Sequence, residues 1–401
     1  MHILGIETSC DETAAAVING NRGRVTVLSN IISSQIDIHK KYGGVVPEVA
    51  AREHVTQILP VVNEALETAG IKRDSIGRRY SLPSRMTKGR GGINAIAVTV
   101  GPGLITSLIT GIETAKVLSY VWDIPLIAVN HIEGHIYANF IGVNSNNQAP
   151  NSKQYPISNI QYPKIKFPAL IMTVSGGHTI LALMKGHGKY KTIGETRDDA
   201  AGEAFDKAAQ ILGLSYPGGP IISEYASKFI KKNPQITNLS RTKMRDYKLQ
   251  ITNKSQIPNN KISLPRPMLN SNDFDFSFSG LKTAILYEVQ KDKNYKKHIP
   301  EYCCEFQQAV IDVLIHKTIK AAKKYKVKNI MLAGGVAANK ELRLQMEKAV
   351  KDLGNVNFYM PELKYTTDNA PMVATAGYFH SIRKDFTPWN KIKVDCNFEL
   401  K

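Results

Sequence analysis

His2-Ile3-Leu4-Gly5-Ile6-Glu7-Thr8-Ser9-Cys10-Asp11-Glu12-Thr13 carries the pattern on which the fold is read. Residues 2–7 alternate like a strand, residues 8–13 form a tight polar turn, and residues 14–18 and 25–33 supply two more strands. Hydroxyls, backbone N–H groups and carboxylates gathered in such a turn suit a phosphate or a metal-bound ligand, although an Asx turn joining two strands would look the same. The pattern returns at residues 169–174, an apolar strand followed by the polar turn Ser175-Gly176-Gly177-His178-Thr179 and by strands at 180–184 and 190–193. A second pair of segments also matches. Residues 95–100 lead through Gly101-Pro102-Gly103 into a helix from Leu104, and residues 329–333 lead through Gly334-Gly335-Val336-Ala337-Ala338-Asn339 into another. Each half thus runs strand, polar turn, strand, strand, helices, strand, glycine loop, helix. The expectation is an α/β protein of two similar lobes, their polar loops meeting across a central cleft.

Between these segments lie the residues that bear chemistry. His131-Ile132-Glu133-Gly134-His135 follows an apolar strand at 126–130, and imidazoles four apart on a helix share a face, so both could reach one metal ion. Spacing alone leaves metal ligation and two unrelated rings both open. In a His-Glu-x-x-His protease the general base directly follows the first ligand. Here Glu133 lies two residues on, about 200° round the helix, and should face away. Asp199, Glu203 and Asp206 are spaced to share one face at the start of a helix. Pro217-Gly218-Gly219-Pro220 is a rigid turn where Gly219 would let a ligand approach the backbone. Asp368, in Thr366-Thr367-Asp368-Asn369-Ala370-Pro371, is either a helix cap or a third metal ligand, with capping the local default. Val55, Ile58, Leu59, Val62 and Leu66 form a helical face read as packing, with a kink expected at Pro60. The apolar run 104–122 carries Glu113 and Lys116 and reads as a buried helix, not a membrane span.

Composition narrows the class. At 401 residues and 43% hydrophobic, the chain can bury two ordinary cores. Cys10, Cys303, Cys304 and Cys396 show neither metal spacing nor a disulfide framework, which favours a reducing compartment. No secretory signal is recognisable, so a cytoplasmic location with no membrane partner is expected. Lys and Arg outnumber Asp and Glu by 52 to 34, a net charge of +18 that favours a polyanion such as nucleic acid. Lys-rich or Asn- and Pro-rich stretches near 77–92, 142–166 and 233–263 read as surface additions to the core.

Taken together, the ordered runs Gly5-Ile6-Glu7-Thr8-Ser9-Cys10-Asp11-Glu12-Thr13, Gly43-Gly44-Val45-Val46-Pro47-Glu48, Gly101-Pro102-Gly103-Leu104, His131-Ile132-Glu133-Gly134-His135, Val174-Ser175-Gly176-Gly177-His178-Thr179, Asp198 to Lys207, Tyr216 to Pro220, Phe276-Ser277-Phe278-Ser279-Gly280-Leu281-Lys282-Thr283, Ala333 to Asn339 and Thr367-Asp368-Asn369 resemble the TsaD family. These are the universal tRNA threonylcarbamoyltransferases, and the likeness runs from Ile3 to about His380. The resemblance implies a duplicated actin-like, ribonuclease-H-like fold, with lobes at 1–130 and 131–380 and a tail at 381–401. It implies that His131, His135 and Asp368 bind one divalent metal, Fe2+ with Zn2+ as competitor, and that Thr173, Val174, Ser175, Gly176, Gly177, Asp206, Gly219 and Asn339 cradle an adenylate.

The implied reaction moves a threonylcarbamoyl group from threonylcarbamoyl-AMP to N6 of the adenosine 3′ to the anticodon, in tRNAs reading codons that begin with A. Asp11 or Glu12 is assigned the proton from that amine, and backbone N–H groups at 175–177 the developing oxyanion. The implied partners are tRNA, a smaller inactive paralogue and a small ATPase. Two other readings share features of the chain: a metal-dependent peptidase, a label this family has carried, and an actin-like ATP-dependent binding module.

Overall fold

The computed structural model describes residues 1–71, 92–144, 160–233 and 262–400. The expected insertions near 77–92, 142–166 and 233–263 lie largely outside these residues. In chain order the elements are β1 (His2–Glu7), β2 (Glu12–Asn21), β3 (Arg24–Ser34), α1 (Ile36–His39), α2 (Pro47–Thr68), β4 (Ala95–Gly101), α3 (Ile105–Trp122), β5 (Leu126–Asn130), α4 (His131–Tyr137), β6 (Val143–Asn144) and β7 (Ile160–Gln161). They continue as β8 (Ala169–Val174), β9 (Thr179–Gly186), β10 (Lys189–Glu195), α5 (Ala201–Ile211), α6 (Gly218–Lys232), α7 (Ser279–Lys291), α8 (Ile299–Tyr325), β11 (Asn329–Ala333), α9 (Lys340–Lys351), β12 (Asn357–Tyr359) and α10 (Ala370–Ile382).

The duplication expected from the sequence is present in the strand order. One five-stranded sheet is ordered β3-β2-β1-β4-β5 and the other β10-β9-β8-β11-β12. In the first, β1 and β2 and then β2 and β3 are antiparallel, whereas β4 and β5 continue parallel to β1. In the second, β8 pairs antiparallel with β9 and parallel with β11, which pairs parallel with β12. Two such sheets make the ribonuclease-H-like duplication. The central strands β1 and β8 read as near-continuous apolar runs because both faces of a central strand are covered.

The chain divides into two compact units, one of Met1–Ile165, His187–Lys189 and Met360–Lys401, the other of Lys166–Gly186 and Tyr190–Tyr359. The first therefore runs past the boundary drawn at 130/131, and α4 belongs with the first sheet. The final helix α10 also returns to that sheet, a long-range placement with no local signal.

On one face of the first sheet, Leu4, Ile6, Ala15, Val17, Ile96 and Val98 form a core with α2 and α3. Helix α2 continues through Pro60 to Thr68. Its buried side is Ile58, Val61, Val62, Ala65 and Leu66, while Val55 and Leu59 are exposed, against the reading of all five apolar positions as packing. The same holds for α3, whose Leu108, Ile112 and Ala115 are buried but whose Ile105, Ile109 and Val117 face outward. No helix among the described residues is long and apolar enough to cross a membrane.

The other face is covered by α10, which lies almost on the strand backbone. A Cβ on Gly5 would stand 2.5 Å from the Ala370 carbonyl oxygen and 2.8 Å from the Ala374 Cβ, and one on Gly377 would stand 2.4 Å from the Ala97 Cβ. Only glycine permits such an approach. Gly377→Val is expected to destabilise the fold by about 1–3 kcal/mol or more through overpacking, read as a lower denaturation midpoint. An unchanged midpoint would mean that α10 can lift from the sheet without cost.

Candidate active site

The strand β5 ends at Asn130, and its side chain starts the next helix. Asn130 Oδ1 accepts from the backbone N–H groups of Ile132 at 2.8 Å and Glu133 at 3.1 Å, two of the donors a helix start leaves unpaired. Every residue of α4 is buried, and the rings of His131 and His135 meet edge to face with centroids 4.7 Å apart. Asp368 joins them from just before α10. Its capping role, the local default, falls instead to Asn369, whose Oδ1 accepts from Met372 N–H at 3.1 Å. Asp368 Oδ1 lies 3.2 Å from His135 Nε2 and 3.5 Å from His131 Nε2. One donor atom from each of the three residues falls within 4.8 Å of the others. Sequence spacing proposed the histidine pair and the family resemblance added Asp368; the fold brings the three together.

A second layer of residues orients the first ring. Glu7, fully buried at the end of β1, lies with Oε2 3.1 Å from His131 Nδ1, and Ser9 Oγ is 3.0 Å from the same nitrogen. Glu7 itself accepts from Thr99 Oγ1 at 2.7 Å and from Ser9 N–H at 2.6 Å. Because the carboxylate only accepts, Nδ1 carries the proton and Nε2 is the atom turned toward Asp368. Burial raises the Glu7 carboxyl, but the adjoining His131 outweighs it and holds Glu7 below its usual range. Burial likewise opposes a charge on His131, yet Asp368 and Glu7 push its pKa up to about 9.

His135 tests whether a metal fits. It is 1% exposed, and its Nδ1 has no hydrogen-bond partner, while its Nε2 has only the ionic contact with Asp368 Oδ1 at 3.2 Å. A buried donor or acceptor left so is costly. A cation shared by His131, His135 and Asp368 would engage the His135 Nε2, and two imidazoles with a carboxylate are an ordinary transition-metal set.

In the same unit Asp11 closes the turn after β1 and Glu12 opens β2. Asp11 is buried, its carbonyl accepting from Gln35 N–H at 3.1 Å. Glu12 accepts from Ser34 Oγ at 3.3 Å, and burial, then the charges of Asp368 and Asp11, raise its carboxyl well above the usual range. A carboxyl so placed takes up a proton readily. Glu133 turns away, as the helical angle predicts, and pairs with His380 Nε2 at 2.7 Å. It is not available as a base beside the histidines.

The glycine loops of the second unit make a separate group. Thr173 and Val174 end β8, and the Ser175 N–H is committed to the His178 carbonyl at 2.8 Å. The start of α5 leans on this loop, with Gly202 N–H donating to Ser175 O and Glu203 N–H to Gly176 O, each at 3.1 Å. Asp206 accepts from Gly218 N–H at 2.7 Å, fixing the start of α6 beside Gly219. A Cβ on Gly176, Gly177 or Gly219 would meet nothing within 4 Å, so two stretches of bare backbone border open space. Asn339 is already engaged: it caps α9 through Leu342 N–H at 3.0 Å and donates to Ser223 and Gln307 at 2.9 Å each.

The three carboxylates expected on one face of α5 do not form one site. Asp199 precedes the helix, Lys207 bridges it to Glu203 at 2.6 and 2.8 Å, and Asp206 serves Gly218. Glu7, Ser9, Thr99 and Asn130 were not singled out from sequence as site residues. The signal available for Glu7 was a carboxylate closing a strand otherwise apolar in its second half.

A family model described as TsaD, tRNA N6-adenosine threonylcarbamoyltransferase, matches residues 26–78 and 90–375. The chain is 45% identical over 387 residues to a tRNA N6-adenosine threonylcarbamoyltransferase of Syntrophomonas wolfei, covering 96% of this chain and 94% of that one. It is 43% identical over 379 residues to the protein of that name from Bacillus subtilis, covering 94% and 90%. Among solved structures, YeaZ from Pseudomonas aeruginosa overlaps at 15% identity with a TM-score of 0.27, covering 49% of this chain and 67% of that one, too little to weigh on fold or function.

Glu7→Gln, which keeps the shape but removes the charge behind His131, is expected to weaken Zn2+ binding by about 10- to 100-fold, measured by equilibrium dialysis against a chelator. His135→Ala should remove tight binding altogether. Wild-type affinity in both would end the metal reading of these residues.

Proposed function

The chain belongs to the TsaD family of tRNA N6-adenosine threonylcarbamoyltransferases, and from that premise we propose that it draws its acyl group from threonylcarbamoyl-AMP and works at the His131, His135 and Asp368 centre. The observation that carries this is the three-donor cluster of two buried imidazoles and the half-buried Asp368 carboxylate, with His135 lacking any other partner. The acceptor is the exocyclic amine of the adenosine 3′ to the anticodon in tRNAs reading codons that begin with A. A net charge of +18 suits that polyanion.

The amine is a poor nucleophile because its lone pair is delocalised into the purine, so the electrophile must be activated and held close. Nitrogen attacks the carbamoyl carbon, the bond to the phosphate oxygen breaks, and AMP leaves with the electron pair. Asp11 or Glu12 takes the proton from the amine. The N–H groups of Gly176 and Gly177 receive the developing oxyanion. Ser175 is left out of that role because its own N–H is bonded to His178. Thr173, Val174, Asp206, Gly219 and Asn339 complete the adenylate cradle, the last by holding the loop in place through its cap. The cation is Fe2+, with Zn2+ as competitor, and when bound it supplies Lewis-acid neutralisation of the phosphate charge.

The partners are a smaller inactive paralogue and a small ATPase. Support for a docked partner comes from α2 and α3, which pack together and present Val55, Leu59, Ile105, Ile109 and Val117 to solvent, at 44–66% exposure. Apolar residues at four-residue spacing on two neighbouring helices suit a helical partner face.

Labelled threonylcarbamoyl-AMP incubated with unmodified tRNA is expected to place label on the adenosine beside the anticodon. No transfer from metal-loaded protein with any partner combination would sink the donor assignment. Asp11→Asn and Glu12→Gln separate the two bases: the true one should lose about 100-fold or more in rate. The double change Val55→Asp with Leu59→Asp should abolish co-elution with the paralogue and leave Zn2+ content unchanged. Retained co-elution would place the partner elsewhere.

A further inference from the structure

The segment after α10 lies beyond the spans matched by the family model, which end at residue 375, yet it reaches the metal-binding helix. Thr387 N–H donates to Leu126 O at 2.8 Å, where the chain forms an antiparallel bridge with the start of β5. Ile392 is buried, and Val394, Cys396 and Phe398 pack against the core of α2, α3 and the first sheet. Asp395 N–H then donates to Val100 O at 2.9 Å, at the end of β4. Here the approach is so close that a Cβ on Gly101, whose φ is +155°, would stand 1.7 Å from the Asp395 carbonyl oxygen. A short turn follows, with Phe398 N–H donating to Asp395 O at 3.1 Å and Asn397 N–H to Asp395 Oδ1 at 3.2 Å.

That turn delivers the Phe398 carbonyl to Asn130, whose Nδ2 donates to it at 2.6 Å. The other arm of the same amide caps α4. Both arms are thus engaged, and the chemistry fixes which is which: a carbonyl accepts, so Nδ2 must face Phe398, and backbone N–H groups donate, so Oδ1 must face the helix. The helix so held has seven residues, too few to be stable on its own hydrogen bonds. His131, at its first position, and His135, four residues on, inherit their aim from that cap.

We infer that residues 387–398 are a strap whose Phe398 main-chain carbonyl locks Asn130, making Asn130 and Phe398 positioning residues for the His131 and His135 ligands. This rests on the metal reading of those histidines. The strap explains why the segment after α10 is stitched to β4, β5 and the helix cap in turn.

The test compares four forms of the protein: a chain ending at Phe398, a chain ending at Asn397, full-length Phe398→Ala, and full-length Asn130→Ser, which retains a capping hydroxyl but cannot reach Phe398. Zn2+ affinity is measured by competition with a chelator, and hydrogen exchange is followed at the Ile132 and Glu133 amides without metal. The chain ending at Phe398 keeps an acceptor, its new carboxylate, and should match full length. Phe398→Ala keeps the carbonyl and should lower the unfolding midpoint while holding Zn2+ affinity. The chain ending at Asn397 and Asn130→Ser should each lose about 10-fold in Zn2+ affinity and exchange the two amides faster, and combining them should add nothing further. Unchanged affinity and exchange on ending at Asn397, or an equal loss in Phe398→Ala, would overturn the strap. If truncation prevents folding, Asn130→Ser decides. If the full chain takes up no Zn2+, the metal reading fails and amide exchange alone upholds or overturns the lock.

Discussion

The structure depends on the contact of α10 with the backbone of β1. Gly5 leaves no side chain between strand and helix, so the Ala370 carbonyl and the Ala374 methyl press on the strand itself. Gly377 allows the same against Ala97, and Ala14, Ala16 and Ala370 form a small apolar cluster beside them. Interiors packed at this density transmit displacement directly. Asp368 and Asn369 precede the helix by one or two residues, so the depth at which α10 sits sets where the carboxylate stands relative to His131 and His135.

A polar chain runs through this apolar setting. Thr99, Glu7, Ser9, His131 and Asp368 form a buried series, and each burial would be unfavourable without its neighbour. Buried ion pairs add little net stability, because desolvation offsets their attraction. Their effect here is orientation: Glu7 fixes which nitrogen of His131 faces Asp368. His135 has no comparable partner and is the residue most in want of a cation. The centre therefore combines one ring held rigidly from behind with one ring held by packing and by the helix cap.

The glycine loops follow a different logic. Gly176, Gly177 and Gly219 contribute bare backbone, and the side chains around them, Asp206 and Asn339, act by anchoring helix starts. Carboxylates that look like a cluster in the sequence are dispersed by that anchoring. Lys207 neutralises Asp199 and Glu203, and Asp206 caps a neighbour.

Local pattern was enough for a good part of this. Alternation and glycine turns marked β1, β2, β4, β8 and β11 and their repeat, because side-chain period and turn chemistry are set by residues within a few positions of one another. The angle of Glu133 on its helix was legible for the same reason, and the His131/His135 pair was visible as a spacing. What the sequence alone determined is therefore the inventory: two copies of one α/β pattern, and a set of polar loops that chemistry could use. Which residues of that inventory meet was decided by tertiary structure. Asp368 became a ligand candidate because Asn369 took the cap, Val55 and Leu59 were left outside because α3 covers only the other side of α2, and Asn130 was locked by a carbonyl 268 positions away. Each depends on segments far apart in the chain coming into van der Waals or hydrogen-bond range, and nothing in the local period of a sequence encodes that distance.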